Sequence, residues 1–108
     1  MAEFDTFFRQ LQDEIVDFAN YSWRSYEAAA AQDGKQFVSE LRTDLQRWTQ
    51  LLEVGALTRE DFEWLVVGKK DLAELVALKR IGLAKVALDR FINGLIDTVV
   101  STAFKVFL

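Results

Sequence analysis

Apolar side chains recur along this chain at steps of three and four, the spacing that stacks them on one face of a helix. In the first segment the stripe is Phe4, Phe8, Leu11, Ile15, Phe18, Ser22 and Tyr26, widened by Phe7 and Ala19. This predicts a helix from about Glu3 to Ala31. Its tail of four alanines prolongs it at little entropic cost, and Gln32-Asp33-Gly34 reads as the stop.

The cleanest pattern follows, with Val38, Leu41, Leu45, Trp48 and Leu52 opposite Glu40, Arg42, Thr43, Asp44, Arg47 and Gln50. It predicts a second amphipathic helix from about Lys35 to Val54, ended by Gly55. Thr58, with Asp61 three residues on, resembles a capping box in which Asp replaces the usual Glu or Gln. Glu60, Asp61 and Glu63 suit the positive end of a helix dipole. Gly68 keeps that third helix short.

From Lys69 to Leu108 there are only Gly82 and Gly94 as weak breakers, and this stretch reads as one helix or two. Leu72, Leu75 and Val76 project to a different side from Leu88, Ile92, Leu95 and Val99, which favours a break near Gly82. Beyond it, apolar pairs repeat every four residues, from Phe91/Ile92 through Leu95/Ile96, Val99/Val100 and Ala103/Phe104 to Phe107/Leu108. A step of four overshoots the 3.6-residue turn, so the stripe drifts by about 40° each time. One neighbour cannot cover it. Such a helix belongs at the centre of a bundle or in a contact between subunits.

The fold expected is therefore all-α: a small bundle of three to five helices, an amino-terminal antiparallel hairpin, then a short helix and a long apolar carboxy-terminal one. At 108 residues, with no linker or repeat, residues 1–108 read as a single domain. No alternation of period two marks a strand.

The missing residue types narrow the chemistry. The chain has no cysteine, histidine or proline. Thiolate nucleophiles, disulfides, serine-histidine triads and zinc or haem ligation by these residues are excluded. Di-iron bundles need Glu-x-x-His, and phosphate-binding glycine loops and calcium loops are not present either. Asp13 and Asp17, four residues apart, could share a face as paired acids, but a solvated polar face opposite the phenylalanines is the favoured reading. We expect no enzyme, with no catalytic, cofactor-binding or metal-binding residues.

Charge is distributed unevenly. Residues 1–34 hold two basic and seven acidic side chains, residues 35–55 three of each, and residues 56–108 eight and seven. The excess of three basic groups from Lys69 onward is too mild for a phosphate-binding footprint, so nucleic acid is not expected as a partner. An acidic first segment beside a mildly basic last one would instead favour one packing order, or a head-to-tail contact between copies. The start, Met1-Ala2-Glu3-Phe4-Asp5, is acidic where a secretory leader is basic, and no run is long and apolar enough to span a membrane. The cytoplasm is the expected location.

Nine phenylalanines, three tryptophans and two tyrosines are much apolar surface for a small bundle. Trp48 lies on a core stripe, whereas Trp23 and Trp64 fall off theirs, and Tyr21 and Tyr26 are ambiguous. The function expected is a non-enzymatic helical interaction module that self-associates as a homodimer or other homo-oligomer, with a further protein partner possible. The interface would comprise Trp23, Trp64, Leu95, Val99, Val100, Phe104 and Phe107. The alternative is a carrier of a small apolar ligand in a cavity lined by Phe4, Phe8, Phe18, Phe91 and Phe104.

Overall fold

The structure, a computed structural model, describes residues 2–108. Six α-helices follow in order: α1 (Ala2–Ser22), α2 (Glu27–Glu40), α3 (Arg42–Glu53), α4 (Arg59–Val67), α5 (Val76–Arg80) and α6 (Lys85–Phe107). Short 3-10 turns at Arg24–Tyr26 and Lys70–Leu72 link α1 to α2 and α4 to α5. Among the described residues there is no strand.

Helices α1 and α6 form the antiparallel centre. Phe7 meets Phe107 at 5.4 Å between ring centroids and Phe18 meets Phe91 at 5.6 Å, so the start of α1 lies beside the end of α6. Phe7, Leu11 and Ile15 on α1, with Phe91, Leu95 and Val99 on α6, are wholly buried. Helix α6 packs against α1, α3 and α4, and these three neighbours cover its broad stripe. Helix α2 lies on α1, with α5 laid across α2.

The first helix ends at Ser22, nine residues before the end at Ala31 that the glycine-based reading places. Trp23 (φ −129°, ψ 41°) turns its indole inward, edge-on to Phe91 at 5.4 Å. The run Asn20-Tyr21-Ser22-Trp23 is poor in helix formers, so leaving the helix costs little here, and burying the indole favours it. Gln32-Asp33-Gly34 is no stop at all: it sits in the middle of α2. Gly34 is buried, and a Cβ there would lie 2.7 Å from Ile15 Cγ2 and 3.3 Å from Leu95 Cδ1. It is the point at which α2 closes onto the central pair.

The helix expected over Lys35 to Val54 is divided at Leu41 (φ −91°, ψ 1°) between α2 and α3. No breaker residue marks this kink. Leu41 and Leu45 are both wholly buried, and the change of direction is what lets α3 follow α4 and α6 after α2 has followed α1. Gly55 (φ +79°) then ends α3 in a Schellman motif, its N–H donating to the Leu52 carbonyl and that of Ala56 to the Leu51 carbonyl.

The hydroxyl of Thr58 accepts from the Asp61 N–H at 3.0 Å, capping α4 as the spacing predicts. Gly82 (φ +83°) separates α5 from α6, while the loop at Ala73–Leu75 has no signal in the sequence. Leu75, buried and left-handed (φ +52°), precedes α5 and has no side-chain acceptor with which to cap it. Asp33 supplies that function from α2. Its carboxylate accepts from the Ala77 N–H at 3.1 Å and the Leu78 N–H at 2.8 Å.

Candidate functional site

The seven residues expected at an interface divide into three groups. Trp23, Leu95, Val99 and Val100 are enclosed in the protomer's own core. Phe104 and Phe107 are half-buried: Phe104 packs on Phe62 at 6.1 Å under the Arg59 guanidinium, and Phe107 packs on Phe7. Trp64 is 78% exposed. The central helix therefore spends most of its stripe inside the molecule, and of these seven residues only Trp64, on α4, is left largely in water.

Helix α4 is oriented by its inner face. Phe62 and Val66, four residues apart, are wholly buried, with Phe62 against Phe104. This turns Trp64 outward, and Val67, three residues on and 37% exposed, shares its face. Glu60 and Asp61 lie on that same stripe one turn earlier, with Glu63 beside it, all exposed. None of these three carboxylates forms an ion pair among the described residues. The result is an apolar centre with an acidic margin. Arg59 does not neutralise that margin from the same side, because its guanidinium lies over Phe104 at 5.3 Å.

Other candidates are dispersed. Asp13 and Asp17 are both exposed, and Asp17 lines an open cleft with Asp97 and the Glu14–Lys105 ion pair (3.4 Å), without Asp13. Among the described residues no group of three or more acids is placed to hold a metal ion. Tyr21 and Tyr26 are exposed around a cleft of about 260 Å³ that includes Arg24 and Arg90, the latter stacked on Trp23 at 5.1 Å. Of the phenylalanines proposed to line a ligand cavity, Phe4 packs on Phe8 at 5.8 Å and Phe18 on Phe91 at 5.6 Å, while Phe104 packs on Phe62.

Two polar arrangements had no sequence reading. Glu53, at the end of α3, meets Glu3 at the start of α1. The hydrogen bond to Glu3 pushes the Glu53 carboxyl above its ordinary range, with smaller contributions from desolvation and the Glu3 charge. Asp33 bridges α2 and α5, and its only local signal is the lack of any capping side chain at Leu75. No helix among the described residues is long and apolar enough to cross a membrane. Compared with protein families, with curated proteins and with solved structures, the chain has no significant match in any of the three.

Proposed function

We propose that this protein is a cytoplasmic, non-enzymatic helical interaction module that self-associates into a homo-oligomer through the outward face of α4. The observation that carries this reading is Trp64, 78% exposed beside Val67 in a chain whose other two tryptophans are buried. A tryptophan side chain buries about 150–250 Å² when covered. At about 25 cal/mol per Å², covering the part still in water is worth about 4 kcal/mol. Tryptophan is the residue type most enriched at interface hot spots. Mutual contact among the core phenylalanines supports this reading over a ligand carrier, since the rings occupy the space that a ligand would need.

The test is Trp64→Ser, with molar mass followed by light scattering up to high micromolar concentration. The wild-type protein is expected to associate and the variant to remain monomeric, with thermal stability unchanged in solutions dilute enough for the wild type to be monomeric, because Trp64 is not in the core. A wild-type protein that is strictly monomeric, or a variant that associates equally, overturns the proposal.

A further inference from the structure

Resting on that reading, we infer that the contact between copies is heterologous: the α4 face of one molecule receives the α5–α6 turn of the next. This turn also combines exposed apolar and charged groups, and its charge is opposite in sign to that of α4. Ile81 is 49% and Val86 79% exposed, and Lys79, Arg80 and Lys85 beside them are exposed without an ion pair among the described residues. Residues 79–90 hold four basic groups against Asp89 alone, a net of +3, whereas α4 holds three acids against Arg59, a net of −2.

The two patches cannot meet within one molecule. Helix α4 docks at Phe104, near the end of α6, and the basic turn ends where α6 begins at Lys85. Nineteen residues of helix separate these positions, about 28 Å at 1.5 Å per residue. A two-fold contact through either patch is opposed, because it would set Glu60 and Glu63 against their own copies, or Arg80 and Lys85 against theirs. Like charges brought together at an interface cost several kcal/mol. A head-to-tail contact instead brings unlike patches together and places Ile81 and Val86 against Trp64 and Val67. A contact that engages one patch leaves the other free, so it extends into chains or closes as a ring, the smallest being a reciprocal pair in which both patches are engaged.

Charge reversal in complementary variants tests this. Glu60→Lys with Glu63→Lys makes both patches basic, leaving the Thr58–Asp61 cap intact; Arg80→Glu with Lys85→Glu makes both acidic. Each variant alone should be monomeric where the wild type assembles, and an equimolar mixture should assemble again, which also shows that both are folded. Wild-type association should weaken at least about tenfold when high salt screens the charges. If either variant associates alone as the wild type does, or if salt strengthens wild-type association, the contact is symmetric and this inference fails while self-association stands. If the mixture stays monomeric, the inference also fails. A wild type monomeric throughout removes the function proposed above and this inference with it.

Discussion

Replacing Asp33 by Ala should be among the most damaging single changes outside the apolar core. Helix α5 has five residues, and its cap position, Leu75, has no side-chain oxygen. Asp33 satisfies two of the four N–H groups that the first turn of any helix leaves without an internal partner. A buried N–H left unsatisfied costs about 1–3 kcal/mol. The bond to Leu78 is buried and that to Ala77 only partly so, hence the first counts in full and the second at about half, giving about 2–4 kcal/mol. Alanine recovers about 0.5 kcal/mol of helix propensity within α2. A net loss of about 2–3 kcal/mol remains, or a fall in Tm of about 10 °C for a chain of this size. Denaturant unfolding followed by circular dichroism measures the total, and native-state hydrogen exchange locates it: the Ala77 and Leu78 amides should lose protection before those of α6. A loss below about 0.5 kcal/mol, a step that propensity alone could produce, would refute the reasoning. Unchanged protection at Leu78 would refute it too.

Two further changes follow from the packing and the charges. Gly34→Ala should cost about 1–2 kcal/mol, since the overlap with the buried, β-branched Ile15 outweighs the helix propensity gained. Gly94→Ala brings a Cβ equally close, 2.7 Å, to the far edge of the half-buried Phe18 ring, which can swing aside, so chemical denaturation should rank it the milder of the two. Glu53→Gln should raise Tm slightly at neutral pH. A carboxyl whose folded pKa is raised stabilises when protonated and loses that contribution as pH rises through the raised value, so wild type and variant should converge on acidification below the ordinary carboxylate range. A Tm difference constant across pH would show that the Glu3 contact is not its origin.

The all-helical character, the stripes of α1, α3 and α6, the cap at Thr58 and the stops at Gly55 and Gly82 were legible from residue order, because each rests on neighbours within about one helical turn. The periodicity of α6 likewise announced a helix with several neighbours. It did not say whether those neighbours belong to the same copy, and so Leu95, Val99 and Val100 could be assigned equally to a core or to an interface. The three-dimensional packing of α1, α3 and α4 around α6 decided this in favour of the core.

Tertiary structure also reassigned residues whose local preference pointed elsewhere. Asp33 and Gly34 carry the chemistry of a turn, yet they lie within a helix, because a carboxylate was needed by α5 more than forty residues away and a missing Cβ by Ile15. Trp23 and Trp64 are both off-stripe tryptophans in the sequence. One is buried because the chain leaves its helix there and rotates the indole onto Phe91; the other is exposed because Phe62 and Val66 orient α4 with its opposite side to the core. Periodicity specifies which side chains share a face. Only the packed arrangement of helices specifies which faces remain in water.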